Sequence, residues 1–150
     1  MDKPTDRVEF EMMLLGRHVH LSAHSKRTSA SLDRSAYILL SRLTMQGPMS
    51  IGQLSDAFGL DASTLNRQTA AMVRAGLVER IPDTEGGIAR KFRVTDEGAQ
   101  RLEEARTELV GAFDSIFADW SAEEVAQFAV CLEHFNASIE RLDGRPWPRP

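Results

Sequence analysis

The chain has 150 residues, the size of one domain or one compact protomer, with 42% hydrophobic and 27% charged residues, a balance that argues against disorder throughout. A single cysteine excludes an internal disulfide framework and a cysteine zinc cluster, and the longest apolar run, residues 36–40, is too short to cross a membrane. Because the N-terminal residues also lack a signal-peptide pattern, we expect a soluble, cytoplasmic protein.

The formal net charge is −4, but the charges are unevenly distributed. Residues 63–93 contain six basic and three acidic residues, whereas residues 96–141 contain eleven acidic and three basic ones. Such a chain can present a basic face to a polyanion while its other end stays acidic. The alternative is that one helix surface carries one sign of charge by chance.

The first predicted helix covers residues 7 to about 28, where apolar residues recur near the helical period. Asp33 is placed to cap a second helix, which ends at the Gln-Gly-Pro sequence 46–48. The apolar positions of this second helix are Ala36, Leu39, Leu40 and Leu43.

Two shorter helices follow, joined by a glycine-containing turn. Ser50 and Gln53 have the spacing of a capping box, and Gly59 ends the helix that they begin. Asp61 is placed to cap the next helix, residues 62–75, and Gly76 ends it. Two helices of this size with a tight turn predict a helix-turn-helix unit.

Alternating apolar and polar residues at 77–81 and 90–94 predict a β-hairpin. The turn at 83–87 contains Gly86 and Gly87. In the second strand, Phe92 and Val94 are expected to face the core, while Lys91 and Arg93 face outwards.

Two further helices close the chain over residues 96–142, and the second begins at a capping box formed by Ser121 and Glu124. Residues 143–150, rich in proline, form a non-helical tail. These helices carry more large apolar side chains than one small lobe needs, namely Phe113, Ile116, Phe117, Trp120, Phe128 and Phe135.

Helix 62–75 separates into two faces when its residues are placed at about 100° per residue. The inward face holds Leu65, Thr69, Met72 and Val73. The outward stripe carries hydroxyl, amide and guanidinium groups, and it has no acidic residue after Asp61. Such groups bond to base edges and phosphates, although an ordinary solvated face is the alternative. The polar members of this surface are Ser63, Thr64, Asn66, Arg67, Gln68 and Arg74.

Residues 63–78 resemble the recognition helix and following strand of the multiple-antibiotic-resistance regulator (MarR) family, with Ser-Thr, an Arg four residues after the Ser, and a closing Gly-Leu-Val. Val94-Thr95-Asp96-Glu97-Gly98 is similar to the Leu-Thr-x-x-Gly sequence that follows the family's wing. The order and spacing of elements agree from the first helix to Leu142.

The resemblance implies a mainly α fold with a small β-hairpin wing, a single protomer over 1–150. Residues 33–95 would form the winged helix-turn-helix lobe, and residues 7–30 and 96–142 the dimerisation helices. It further implies a homodimeric repressor that binds a pseudo-palindromic operator in duplex DNA and is released by a small-molecule effector, phenolic or otherwise aromatic. Neither a cofactor nor a membrane is implied.

Within this scheme, the residues predicted to contact the major groove are Ser63, Thr64, Asn66, Arg67 and Gln68. Phosphate or minor-groove contacts fall to Arg74, Arg90, Lys91 and Arg93. The wing departs from the family pattern, because Gly86, Gly87 and Ile88 stand where members carry a tip arginine. Arg90 is the nearest substitute, and its position along the strand favours a phosphate contact over a minor-groove one.

Other functions find less support. No glycine-rich phosphate loop, Gly-x-Ser-x-Gly or His-Glu-x-x-His motif is present, so we expect no enzyme. A winged-helix module that binds protein is one alternative, and a metal- or redox-responsive regulator is another. His18, His20 and His24 lie close together, but they are interpreted as exposed or interface residues and no metal site is assigned. Cys131 is interpreted as a small apolar residue of the last helix.

Overall fold

In the computed structural model, residues 3–25, 32–83 and 90–150 are described, and the chain divides into two compact units, Met1–Ser31 and Leu32–Pro150. The first unit contains helix α1, Pro4–Ser25, so the helix predicted from residue 7 is confirmed as far as residue 25. Five apolar side chains of this helix are exposed, namely Val8, Phe10, Met12, Met13 and Leu15.

The second unit contains five helices and three short strands among the residues described. In chain order these are α2 (Arg34–Gln46), β1 (Met49–Ser50), α3 (Ile51–Phe58), α4 (Ala62–Arg74), β2 (Val78–Pro82), β3 (Arg90–Val94), α5 (Asp96–Ile116) and α6 (Ala122–Asp143). The mainly helical fold with a small wing is therefore confirmed. None of the described helices is long and apolar enough to span a membrane.

The helix starts follow the capping pattern of the sequence with one exception. The Asp33 carboxylate accepts a hydrogen bond from the Ala36 amide at 2.8 Å, and Ser50 and Gln53 form the expected reciprocal capping box. Asp61 occupies the N-cap of α4, but its side chain makes no capping hydrogen bond. The prediction that its carboxylate caps this helix is therefore wrong, and residue 61 contributes the extended backbone conformation that precedes a helix.

The sheet has three antiparallel strands in the order β1-β3-β2. The hairpin is confirmed, with Val78 opposite Val94 and Glu79 opposite Arg93. The sequence did not predict β1, whose Met49 lies opposite Phe92. Two residues are too few to show an alternating pattern, so only the pairing with β3 reveals this strand.

We call residues 32–95 the winged lobe, and its core is closed. Leu39, Leu40, Leu54 and Leu65 are completely buried, and Phe92 packs with them from β3. Thr69 is buried as well, and its hydroxyl donates a hydrogen bond to the Leu65 carbonyl oxygen at 2.7 Å. The inward face predicted for helix 62–75 is confirmed, with Val73 half-buried at the edge of the core.

A tight joint connects the winged lobe to α5. Thr95 caps α5, its amide donates to the Leu77 carbonyl oxygen at 3.0 Å, and its hydroxyl donates to the Gly76 carbonyl oxygen at 2.6 Å. Gly98 lies directly against Leu77, since a Cβ atom at position 98 would stand 2.1 Å from the Leu77 carbonyl oxygen. The start of α5 is thereby held against the residues that follow α4.

Helices α5 and α6, which we call the helical arm, bury very little. Gly98 is the one buried residue of α5, and α6 has none. The capping box predicted at the start of α6 is confirmed by hydrogen bonds between Ser121 and Glu124. The tail is non-helical as predicted, but α6 includes Asp143, so the tail begins at Gly144.

Candidate nucleic-acid interface

Helix α4 is oriented by the residues that it buries. Leu65, Thr69 and Met72 point into the winged lobe, so the opposite side of the helix faces solvent. Ser63, Asn66, Arg67 and Arg74 are exposed, and Thr64 and Gln68 are half-exposed. The structure thus presents on one helix surface all six polar side chains that the sequence selected. We call them the reading stripe.

The arginines of the reading stripe have few partners within the described ranges of the chain. Arg67 makes one long hydrogen bond within the stripe, from Nη2 to the Thr64 hydroxyl oxygen at 3.5 Å. Among the residues that the structure describes, no carboxylate forms an ion pair with Arg67 or Arg74. Apart from that one hydrogen bond of Arg67, neither guanidinium group has a donor engaged by a carboxylate of the described residues, so donors are available for an external acceptor.

The basic residues of the wing differ in their surroundings. Arg93 is paired across the hairpin with Glu79, and its Nε lies 2.9 Å from a carboxylate oxygen. The Lys91 ammonium lies 3.7 Å from the Asp83 carboxylate. Arg90 is exposed at the beginning of β3 and, in the described part of the chain, has no acidic partner. Counting only the residues that the structure describes, Lys91 and Arg93 each have an acidic neighbour and Arg90 has none.

Arg80 is a basic wing residue for which the sequence suggested no role. It lies opposite Phe92 in the hairpin, and its guanidinium stands 5.7 Å from the centre of the Phe92 ring. Because side chains alternate along a strand, Arg80 lies on the same face of β2 as the buried Val78. The sheet register supplies the missing signal, because Arg80 extends over the edge of the core and remains exposed.

The remaining candidate features are the turn glycines, the histidines of α1 and the single cysteine. The predicted turn glycines, Gly86 and Gly87, lie outside the described residues, as do the side chains of His20 and His24. His18 is exposed on α1. Cys131 is exposed on α6, so in the protomer its thiol is not packed as a small apolar residue would be.

Comparison with known proteins agrees with this geometry. A profile described as MarR family matches residues 32–86, which include the reading stripe. The HTH-type transcriptional regulator YxaD of Bacillus subtilis (strain 168) is 33% identical over 137 residues, covering 91% of this chain and 95% of that protein. The chain belongs to the MarR family. It is a transcriptional regulator of a non-enzymatic, DNA-binding class.

Solved MarR structures share the fold at low sequence identity. A MarR family protein from Bacillus stearothermophilus superimposes with a TM-score of 0.70 at 22% identity, covering 89% of this chain and 96% of that one. A MarR protein from Peptoclostridium difficile gives 0.73 at 19% identity, with 97% and 93% covered. The regulator PcaV of Streptomyces coelicolor, solved with its natural ligand, gives 0.62 at 19% identity, with 93% and 95% covered.

Proposed function

We propose that this MarR-family regulator binds duplex DNA as a homodimer, with α4 of each protomer in a major groove. The observation that carries the proposal is the reading stripe, which is exposed, polar and free of acidic side chains. Ser63, Thr64, Asn66, Arg67 and Gln68 supply groups suited to base edges, and arginine in particular pairs with guanine through two hydrogen bonds. The small side chains of Ala70 and Ala71 let the helix approach the groove closely.

The basic residues beyond the start of α4 are assigned to the DNA backbone. Arg74 and Arg90 contact phosphate in this proposal, because neither has an ion-pair partner among residues 3–25, 32–83 and 90–150. Lys91 and Arg93 contribute less, because each already has a carboxylate neighbour, Asp83 and Glu79 respectively. Arg90 takes a phosphate contact in this proposal, and insertion into an A·T-rich minor groove is the alternative.

The homodimer is proposed from the apolar surface of the helical arm. Phe128, Leu132, Phe135 and Ile139 follow one side of α6, and each is about 40% exposed in the protomer. At the turn between the two helices, the rings of Phe117, Trp120 and Phe128 pack edge to face with centres 4.8–5.8 Å apart. Exposed apolar patches of this extent mark interfaces, so a second copy of the arm covers them in this proposal. A two-fold dimer then reads a pseudo-palindromic operator.

Repression and release by a small-molecule effector are proposed on the family relationship. The PcaV structure contains that protein's natural ligand, so a ligand-bound state exists on this fold. For this chain we propose an effector with a phenolic or other aromatic body, because methionine and aromatic side chains are frequent in α1 and in the arm. The proposed location is cytoplasmic, where the regulated DNA lies.

The experiment that tests the proposal is a binding titration with an operator selected from random duplexes. Arg67→Ala is expected to weaken specific binding by about 1–3 kcal/mol and to relax specificity at one position per half-site. Arg106→Ala is the matched control, since Arg106 is an exposed arginine of the acidic helical arm. Equal operator affinity of Arg67→Ala and wild type would contradict the assignment. Failure of the wild type to bind any duplex, with a stable complex to a protein, would favour a protein-interaction module.

A further inference from the structure

The C-terminal tail, residues 144–150, does not extend into solvent but turns back onto the winged lobe. Gly144 adopts a left-handed conformation with φ +68° and ends α6, and the amide of Arg145 donates to the Glu140 carbonyl oxygen at 3.2 Å. The chain therefore reverses direction within two residues of the helix end. Such a reversal brings the remaining tail residues beside α2 and α3.

Trp147 is the centre of the contact between tail and lobe. Its ring stacks on Phe58 of α3, with ring centres 5.6 Å apart and an angle of 20° between the planes. On α2, the guanidinium of Arg42 lies 4.7 Å from the centre of the Trp147 ring. Arg42 is 7% exposed, and burial lowers its pKa while the nearby Glu140 raises it. The indole therefore covers a buried cation and supplies an electrostatic partner for it.

Arg145 holds the tail at the turn of the helix-turn-helix unit. Its Nε donates a hydrogen bond to the Asp56 carbonyl oxygen at 3.2 Å. The same guanidinium fills the space over Gly59, since a Cβ atom at position 59 would stand 2.8 Å from the Arg145 Cζ. Gly59 immediately precedes the residues that start α4, so the tail is attached just before the reading stripe.

Glu140 fixes the tail to the end of α6. Its carboxylate accepts hydrogen bonds from the amide of Trp147 and from the guanidinium of Arg149, whose Nη1 lies 3.0 Å from Oε1. The hydrogen bonds from Arg149 and Trp147 lower the pKa of Glu140. This carboxylate connects α6 to two residues of the tail, so the tail is anchored to the arm as well as to the lobe.

The tail gives the winged lobe a second attachment to the helical arm. The first is the joint at Thr95 and Gly98, which holds the residues that follow α4. The second is the tail, which holds the residues that precede α4. One attachment allows a lobe to rotate about it, whereas attachments at both ends of α4 restrict that rotation. None of the tail contacts uses a residue of the reading stripe.

We propose that the tail is a strut that fixes the direction of α4 relative to α6 and so makes the regulator selective for the spacing between operator half-sites. Trp147 and Arg145 are positioning residues in this scheme, and neither contacts DNA. The inference rests on the proposed function, because spacing has a meaning only for a dimer that reads two half-sites. Moving one half-site by a base pair shifts it about 3.4 Å along the duplex and rotates it by roughly 35°. A lobe that is attached to the arm by both the joint and the tail cannot follow that rotation. A lobe that is attached by the joint alone can.

The first measurement does not depend on DNA. Spin labels are placed at the exposed positions 44 and 133 as Thr44→Cys and Glu133→Cys in a Cys131→Ser background, and labelled protein is diluted with unlabelled protein. The distance distribution between α2 and α6 is expected to be narrow in wild type and in the control Pro150→Ala. It is expected to broaden in Trp147→Ala and in a chain that ends at Asp143. Distance distributions of equal width in all four proteins would overturn the proposal that the tail is a strut.

The second measurement compares operators whose half-sites are separated by the selected spacing and by one base pair more or less. Wild type is expected to lose at least about tenfold in affinity on the altered spacings, which is within the usual range for coupled sites. In Trp147→Ala this ratio is expected to fall to about threefold or less, with nonspecific affinity unchanged and circular dichroism native. An unchanged ratio in Trp147→Ala overturns the proposal. Absence of DNA binding by wild type would instead overturn the proposed function, and the label distances would still report whether the tail braces the lobe.

Discussion

The winged lobe and the helical arm are both built from amphipathic helices, yet only one of them closes its core within the protomer. In the lobe, the apolar sides of α2, α3 and α4 meet over Leu40, Leu54 and Leu65, which have no exposed surface. In the arm, the apolar side of α6 meets nothing of comparable extent among residues 32–83 and 90–150, and Phe135 is 41% exposed. The same sequence pattern therefore has two outcomes, and the difference lies in whether its partner belongs to the same chain.

The largest effect is expected from a substitution that disrupts the proposed dimer interface on the arm and leaves the winged lobe unchanged. Phe135→Asp places a charge in the proposed dimer interface, and burying an unpaired ion costs several kcal/mol, so the dimer dissociation constant should rise at least about a hundredfold. Val130→Asp is the control, because Val130 lies about 200° around α6 from Phe128 and is 65% exposed. Sedimentation velocity over a concentration series measures both. A Phe135→Asp protein that stays dimeric at nanomolar concentration would show that this face is not the interface.

The next largest effect concerns the closed core of the lobe. Leu40→Ala removes a completely buried side chain of α2, so the free energy of unfolding should fall by about 2–5 kcal/mol. Leu142→Ala makes the same change at a position that is 88% exposed, and it should alter stability by less than about 0.5 kcal/mol. Urea titrations at one protein concentration compare the two. Similar losses at both positions would mean that the arm buries Leu142 in the assembled protein.

A third pair of variants tests the joint between the two regions. Gly98→Ala brings a Cβ atom against the Leu77 carbonyl group, and this backbone group cannot move without distorting the joint. The free energy of unfolding is therefore expected to fall by about 1–3 kcal/mol or more. Gly111→Ala lies in the same helix with no atom within 4 Å of the new Cβ. The free energy of unfolding is expected to rise there by about 0.5–1 kcal/mol. Thermal unfolding measures both. A neutral Gly98→Ala would show that the joint is looser than its geometry indicates.

The wing should give a smaller effect, seen in the salt dependence of DNA binding. Arg90→Ala removes one of the proposed phosphate contacts, so the slope of log K against log salt should decrease in magnitude by about 0.9 on specific and nonspecific DNA alike. Glu79→Gln frees Arg93 from its carboxylate partner and should increase the slope. A loss confined to operators with A·T-rich flanks would instead assign Arg90 to the minor groove.

The smallest effect is expected from the tail as pH falls. The hydrogen bond from Arg149 and the amide of Trp147 lower the pKa of Glu140 from its ordinary value of 4.5, so ionised Glu140 stabilises the docked tail at neutral pH. That contribution should be lost as pH falls from about 4.5 through the lowered pKa, because protonation removes the negative charge that strengthens the hydrogen bonds from Arg149 and Trp147. The charged neighbours are Arg149 on the tail, Arg42 on α2, and Glu133 on α6, which acts on Arg149.

Fluorescence of Trp147 in a Trp120→Phe background follows this release, with far-ultraviolet circular dichroism as the measure of folding. Glu140→Gln is the control, and its emission should not change over the same pH range. A transition that persists in Glu140→Gln would assign the effect to another group.

The sequence predicted the winged lobe well because its signals are local. Capping residues such as Asp33 and Ser50, and buried leucines at helical spacing, each determine structure within a few positions of the chain. The same holds for the reading stripe, whose direction follows from Leu65 and Thr69 on the other side of α4.

The features that the sequence did not predict depend on distant pairs. Strand β1 exists through its pairing with β3, more than forty residues away, and the role of Arg80 depends on the register that places it over Phe92. The docking of Trp147 on Phe58 joins residues 89 positions apart, as does the hydrogen bond from Arg145 to Asp56. The tail is short and contains three prolines, so its sequence has no helical or strand periodicity. Its attachment to the lobe could therefore be recognised only from the structure.

The joint at Thr95 and Gly98 makes α5 a lever whose fulcrum lies beside the last turn of α4. With 21 residues, α5 extends about 31 Å from that fulcrum, whereas α4, with 13 residues, extends about 20 Å. If the joint stays rigid, a tilt of about 5° moves the far end of α5 by about 3 Å and the first turn of α4 by about 2 Å. A displacement of 2 Å exceeds the distance over which a hydrogen bond to a base edge survives. Any molecule that shifts the distant end of the arm by one atomic diameter therefore acts on Ser63 and Arg67 without touching them.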